Sequence, residues 1–491
     1  MISLGIDIGG TGCKCVAFQD DGEQLALSYR EYPNPPGKAD LEAEVLRSSV
    51  FAVIADCVRQ LPAGEVAAIT VSSFGESFVP LDDRGRPLTD ILLYFANSQS
   101  EDFDRLVHRV GEEAFMEAAR VLPDASYSLA KMLYTAKSAA RPVWKYLFVA
   151  SYIVWCLSGE AVCDESLACR SLLYDVKARS WSRQLADLSG VSLEQLPVVL
   201  PTGGIAGSLL PEVAAALGLS AGVKVVIGSH DQIVNALGAG VFHCGEAVNT
   251  TGTCECITPL FADMPGLSFV RENFACVPYV DQLGYVSYAY NISGGSVVKW
   301  FRDALAFHLR QQSQETGVSI YDIFNSACPT EPTGLIVLPF LQGMGGTPDV
   351  DPNATGLIAG LTTATTQADL YRAILEGLSF EMQYNLEKLQ EGGVTPQRLY
   401  ACGGGARSKI WLQIKADVWG RAVIPVETEE TGALGSAILG FAAVTGAKRC
   451  CEVAERFVRH GAPVLPDAAR HSYYQAQYEK YKTLRAFYRS F

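Results

Sequence analysis

Basic residues are scarce: 39 lysines and arginines stand against 53 aspartates and glutamates in 491 residues, a net charge of −14. A nucleic-acid footprint needs a basic patch or stripe, so no nucleic-acid partner is expected. Long apolar runs are also missing. None reaches the roughly 18–20 residues of a membrane span. The N-terminus shows no basic segment ahead of a long apolar one, so no signal peptide is expected. The six histidines lack metal-ligand spacing. Zinc-type Cys-x-x-Cys pairs are absent as well. The fourteen cysteines stand mostly alone or as Cys-x-Cys, at Cys13/Cys15 and Cys254/Cys256. Cys57, Cys156 and Cys244 fall in apolar segments and read as buried, reduced thiols of a cytoplasmic protein.

What is present suits a globular chain. Hydrophobic residues make up 49% and charged residues 19%, and the length allows two or three domains. Strands are predicted at Ser3–Ile8, Lys14–Gln19, Ala67–Ser72 and Lys224–Gly228. Helices are predicted at Leu41–Leu61, Phe103–Arg120, Ala125–Ala139 and Leu147–Leu157. Alternating strands and helices imply an α/β fold. Pro33–Gly37, Asp82–Pro87 and Pro197–Gly207 read as loops.

Three glycine-rich turns carry the chemistry. Leu4 to Lys14 reads Leu-Gly-Ile-Asp-Ile-Gly-Gly-Thr-Gly-Cys-Lys, with apolar residues resuming at Val16. This is a hairpin whose turn offers backbone N–H groups and a hydroxyl to a phosphate. Asp7 sits where a carboxylate can hold Mg²⁺ beside that phosphate. Lys14 either reaches the phosphate or faces solvent. Glu246 to Ile257 repeats the pattern, with Asn249-Thr-Thr-Gly-Thr253 as its turn. The repeat reads as a distant duplication with a boundary near Phe242–Gly245. The third turn, Cys402-Gly-Gly-Gly-Ala-Arg-Ser408, precedes a helical pattern at Ile410–Trp419. A strand, glycines and a helix N-terminus let backbone approach a ligand closely. Two similar halves place ligands in the cleft between them.

Asp231 follows the strand Val223–Gly228 and precedes the apolar segment Ile233–Leu237. It reads either as an N-cap or as a general base at a strand's C-terminal end, and position alone favours the cap. Glu76, in Ser73-Phe-Gly-Glu-Ser-Phe78, reads either as a partner of a sugar hydroxyl or as a solvated loop carboxylate. His230 adjoins Asp231 without the spacing of a metal ligand.

Together these segments resemble the FGGY carbohydrate kinases of the actin/hexokinase-like ATPase superfamily. Gly356–Leu361, Ala373–Gly377, Gly403–Ser408, Gln413–Asp417 and Glu430–Ile438 are similar to the family's C-terminal signatures in order and spacing. The resemblance implies two ribonuclease-H-like domains, residues 1–244 and 245–491, closing over ATP and a sugar. It implies Mg²⁺ at Asp7, a first phosphate loop at Gly10, Thr11 and Lys14, and a second at Gly252 and Thr253. It implies Gly404, Gly405 and Ser408 at the adenosine and Gly295 near the nucleotide. Asp231 then becomes the base, with Gly75, Glu76 and Gln232 at the sugar. A homodimer is compatible with the resemblance, and a cytoplasmic location follows from it.

There are departures. Many members carry Trp-x-Asp-x-Arg where this chain reads Tyr94-Phe-Ala-Asn-Ser98. Glycerol kinases show Arg-Glu, and xylulokinases Met-His, where this chain has Gly75-Glu76. The frequent Gly-Glu-Arg-Thr-Pro becomes Gly343-Met-Gly-Gly-Thr-Pro348. Features of glycerol, xylulose and deoxy-sugar kinases are mixed. The expected activity is ATP-dependent phosphorylation of a neutral ketose or linear polyol, because Glu76 would repel sugar acids. The alternative is an ATP- and sugar-sensing protein of the same fold that has lost transfer.

Overall fold

The computed structural model describes residues 1–33, 39–62, 66–93 and 101–488. The first sheet uses β1 (Ile2–Ile8), β2 (Gly12–Gln19), β3 (Gln24–Glu31), β4 (Val66–Ser73), β5 (Ile205–Ser208) and β6 (Lys224–His230). Its order is β5-β6-β4-β1-β2-β3. The second uses β7 (Glu246–Thr251), β8 (Glu255–Phe261), β9 (Val277–Pro278), β10 (Tyr285–Val286), β11 (Ala289–Asn291), β12 (Arg398–Cys402) and β13 (Val423–Pro425). Its order is β9-β10-β8-β7-β12-β13, with β11 also paired to β8.

The two sheets repeat one plan. In the first, β3, β2 and β1 run antiparallel, and β4 and β6 then add in parallel. In the second, β10, β8 and β7 run antiparallel, and β12 and β13 add in parallel. The central strands are apolar on both faces because helices cover both sides of a parallel sheet. Six of the seven β1 residues are buried.

The helices that matter here are α1 (Asp231–Ala239), α2 (Gln367–Glu391), α3 (Lys409–Trp419), α4 (Thr431–Thr445), α5 (Cys450–Phe457) and α6 (Ala468–Tyr488). Helices α2, α3 and α6 build the second core with the second sheet. The chain then returns to the first core: Ala433, Leu434, Ala437 and Ile438 of α4 and Val453 and Phe457 of α5 pack there. Helix α4 crosses α1 backbone to backbone. A Cβ on Gly238 would sit 1.9 Å from the Thr431 carbonyl oxygen, and one on Gly435 1.8 Å from that of Val234. Only glycine permits that approach.

Local expectations differ in four places. The loop predicted at Pro197–Gly207 contains a short strand, Val198–Leu200, paired with Val162–Asp164, and the start of β5. The helix predicted over Phe103–Arg120 is two, Glu101–Val110 and Glu112–Ala119, split at Gly111. The φ of +88° at Gly111 cannot continue a right-handed helix. The helix predicted over Leu147–Leu157 begins at Val149, after a strand Lys145–Phe148 that pairs with Phe78–Leu81. Cys244 is exposed rather than buried, in the connection between α1 and β7, and Cys156 is half-buried. Most of the loop predicted at Pro33–Gly37 lies outside the described residues. Among the described residues, no helix is long and apolar enough to cross a membrane.

Candidate active site

The turn between β1 and β2 holds Gly10 and Thr11, closed by the Gly9 N–H donating to the Gly12 carbonyl at 2.9 Å. Asp7 and Lys14 face each other across the hairpin register. Lys14 Nζ lies 2.8 Å from Glu430 Oε2 and 3.7 Å from Asp7 Oδ2. Lys14 is therefore half-buried and paired: Glu430, just before α4, engages it. Burial raises the Asp7 carboxyl above its usual range, the Lys14 ammonium opposes this, and the Glu430 charge adds to it.

The second turn, Gly252 and Thr253, joins β7 to β8. The Gly295 N–H donates to the Gly252 carbonyl at 2.8 Å, and the Ser296 N–H to that of Thr253 at 3.1 Å. A Cβ on Gly295 would lie 2.5 Å from the Gly252 oxygen. The third turn closes on the same place: a Cβ on Gly403 would lie 2.6 Å from the Thr251 oxygen, and one on Gly405 2.6 Å from Thr251 Cβ. Gly252 and Gly404 present open backbone. A Cβ on Gly252 would meet nothing within 4 Å, and one on Gly404 only the Thr251 oxygen at 3.9 Å. Ser408 caps α3, its hydroxyl accepting from the Trp411 N–H at 3.3 Å and donating to Asn325 Oδ1 at 2.9 Å. Its side chain thus serves the turn itself.

Asp231 is the first residue of α1, not its cap. His230 takes the cap position and makes no side-chain capping bond. The Asp231 side chain is one-third exposed, yet its Oδ1 is fully buried without a hydrogen-bond partner. Burial, then the charges of Asp7 and Glu76, push its carboxyl up to about 7. His230 Nδ1 lies 3.3 Å away. Burial and the Arg170 charge push that imidazole down to about 3, so it is neutral near pH 7. Gln232 Oε1 and the Tyr288 hydroxyl are likewise buried and without partners.

Of the two sequence readings of Glu76, the solvated loop carboxylate does not hold. Glu76 is buried and holds a left-handed backbone with φ of +61°, strain of the kind found at functional sites. Arg170 grips Glu76 Oε1 with two nitrogens, Nε at 2.5 Å. Burial alone would raise the Glu76 carboxyl, but the guanidinium holds it below its usual range. The same guanidinium lies 4.7 Å from the Tyr127 ring and 5.6 Å from the Tyr288 ring. Gly75 makes room for it: a Cβ there would sit 2.7 Å from Arg170 Cγ.

Sequence reasoning missed Arg170, Tyr127, Tyr288 and Lys131. It also missed a buried network between α1 and the glycine turns. Asn235 of α1 donates to Thr250 Oγ1 and accepts from Thr431 Oγ1 at the start of α4. Cys402 Sγ lies 3.4 Å from Thr250 Oγ1. No local pattern announces such contacts.

Comparison with known proteins decides what this arrangement belongs to. Residues 2–238 match the N-terminal domain of the FGGY family of carbohydrate kinases, and residues 251–444 match its C-terminal domain. The chain belongs to the FGGY family of carbohydrate kinases. It is 28% identical over 450 residues to a gluconokinase of Bacillus subtilis (strain 168), covering 89% of this chain and 86% of that one. It is 25% identical over 490 residues to a xylulose kinase of the same organism, covering 98% and 96%. A ligand-bound xylulose kinase structure from Lactobacillus acidophilus superposes with a TM-score of 0.87 at 22% identity, covering 99% and 98%, which shows the shared two-domain fold. The chain is thus an ATP-dependent carbohydrate kinase. The segment in which FGGY members carry Trp-x-Asp-x-Arg, here Tyr94–Ser98, lies outside the described residues.

The first turn of this FGGY chain also fits a divalent cation. Asp7 and Glu430 flank one ammonium, and the Asp7 charge reaches Asp231. Three carboxylates against one lysine leave negative charge that Mg²⁺ can balance.

Proposed function

We propose that this kinase transfers the γ-phosphoryl group of ATP to a hydroxyl of a neutral ketose or linear polyol, with Asp231 as general base. The observation that carries the reading is the buried Asp231 Oδ1, which lacks a partner at the head of α1. A carboxylate pushed up to about 7 is matched to accepting a hydroxyl proton near neutral pH. Gln232 Oε1 and the Tyr288 hydroxyl, both unpartnered, supply acceptor contacts. The backbone at Gly10, Thr11, Gly252 and Thr253 receives the phosphates, and that at Gly404 and Gly405, with Gly295, borders the nucleotide. Asp7 and Glu430 would hold Mg²⁺, which when bound would supply positive charge against the transferring group. Closure of the domains excludes water from the transfer.

The neutral acceptor no longer rests on repulsion by Glu76. It is supported by how the described cations nearby are engaged. Arg170 is held by Glu76, Lys131 Nζ donates to the Ser126 carbonyl, and His230 is neutral. Of these three, only the Lys131 ammonium lacks a carboxylate partner, and burial pushes its pKa down to about 8. The tyrosine faces of Tyr127 and Tyr288 suit the C–H surface of a sugar. All fourteen cysteines are free thiols, which fits a reducing, cytoplasmic setting.

The test is ADP release with ketoses, aldoses, polyols and sugar acids, including xylulose and gluconate, the compounds in the relatives' names. Release that depends on a neutral acceptor is expected. Preferred turnover of gluconate overturns the acceptor class. Release independent of any acceptor, or none at all, overturns transfer.

A further inference from the structure

A second cluster of reactive side chains lies outside the kinase machinery. Asp281 sits in the turn between β9 and β10, and Cys450 and Cys451 open α5. Cys450 Sγ lies 3.1 Å from Asp281 Oδ2, and the Cys451 backbone N–H donates to the same oxygen at 3.2 Å. Two sulfurs and one carboxylate oxygen lie within 4.8 Å of one another. Among the described residues, no other three His, Cys, Asp or Glu side chains gather so closely. Both cysteines are almost fully buried, and Asp281 reaches the surface. Beside them lies a cavity of about 280 Å³, lined in part by His243, Cys244, Cys451 and Glu452. A third thiol and an imidazole thus line the same cavity as Cys451, which has room for water.

We propose that Asp281, Cys450 and Cys451 form a binding site for Zn²⁺ or a similarly thiophilic divalent cation. Two thiolates and a carboxylate with an open fourth position match the tetrahedral preference of zinc. Soft sulfur ligands discriminate against the Mg²⁺ that the kinase reaction uses. Each thiol must lose its proton to become a ligand. Binding therefore replaces two S–H bonds with two metal–sulfur bonds and releases two protons to solvent. The ion would tie the edge of the second sheet to α5, a helix seated in the first core. Binding to the folded state alone then raises thermal stability by mass action.

The test uses the reduced, metal-free, full-length protein titrated with Cd²⁺, read by the ultraviolet thiolate-to-cadmium band, with Zn²⁺ as competitor. One Cd²⁺ per chain is expected, with two protons released, displacement by Zn²⁺, and a Tm that rises with Zn²⁺. Cys450→Ser and Cys451→Ser, near-isosteric changes, should each abolish that equivalent and keep acceptor-dependent ADP release. Asp281→Asn should weaken binding at least tenfold. Cys254→Ser, which removes an exposed thiol elsewhere, should keep the full equivalent. The site is overturned if no sulfur band forms, or if the equivalent survives intact in both Cys450→Ser and Cys451→Ser. Loss of the equivalent in Cys254→Ser overturns it equally.

Discussion

Lys415 Nζ of α3 lies 2.7 Å from Glu255 Oε1 of β8, and the two side chains are 1% and 0% exposed. The same ammonium donates to Asn249 Oδ1 at 2.6 Å and to Thr251 Oγ1 at 2.7 Å. Thr251 is the residue on which Gly403 and Gly405 close. The buried charge pair therefore underpins the second and third glycine turns together.

Removing one member of such a pair strands the other. Lys415→Met is expected to cost about 3–5 kcal/mol of stability, measured by urea denaturation. Lys415→Met with Glu255→Gln should recover most of that loss. In protein that remains folded, the KM for ATP should rise more than the KM for the acceptor. A single variant as stable as wild type would show that the pair does not hold the turns.

Asp231→Asn keeps the shape and removes the base. Turnover should fall about 100-fold or more, while ATP affinity by equilibrium binding stays within a few-fold. Near-normal turnover in a folded Asn variant would remove Asp231 from proton transfer.

The raised Asp231 carboxyl sets an acid limb. The base works deprotonated, so kcat/KM should fall as pH drops below about 7. Stability runs the other way. The folded group holds its proton up to about 7, and the unfolded one only to its ordinary value of 3.8. Between those values the native state binds the extra proton, so stability declines as pH rises. Asp231→Asn should therefore melt above wild type at pH 8 and lose that advantage near pH 4. An advantage independent of pH would contradict the assignment.

Arg170→Met leaves Glu76 buried without its cation and opens the space above Gly75. We expect kcat/KM for the acceptor to fall about tenfold to a hundredfold, with the KM for ATP nearly unchanged. A variant equally impaired for both substrates would place Arg170 in general scaffolding.

Asp7→Asn keeps the hydrogen-bonding shape of the side chain and removes one of the carboxylates around Lys14. The Mg²⁺ concentration giving half-maximal rate should rise at least tenfold. Acceptor binding, followed calorimetrically without nucleotide, should stay unchanged.

Much of this was legible locally. The hairpin at Asp7–Lys14 declares itself through apolar residues interrupted by Gly9-Gly10-Thr11-Gly12, because a tight turn needs those residue types wherever it sits. The same reasoning locates the turn at Gly252 and Thr253 and the glycine run at Gly403–Gly405. Asp231 was placed at a strand-to-helix junction, where position alone favoured a cap and the family resemblance implied the base. A cap is defined by one residue of register: His230 occupies that position, and Asp231 falls inside the helix.

By itself, the sequence determined the α/β class, the repeated hairpin, the glycine turns and the acids beside them. Each of these follows from short-range backbone conformation and hydrophobic periodicity. Only the tertiary structure decided which charges meet. Arg170 reaches Glu76 across 94 residues of chain, Lys14 reaches Glu430 across 416, and Cys450 reaches Asp281 across 169. Such pairs are set by how α4 and α5 return to the first core and how close α1 and α4 cross at Gly238 and Gly435. No local pattern encodes those crossings, because a buried charge finds its partner only after distant segments have packed around it.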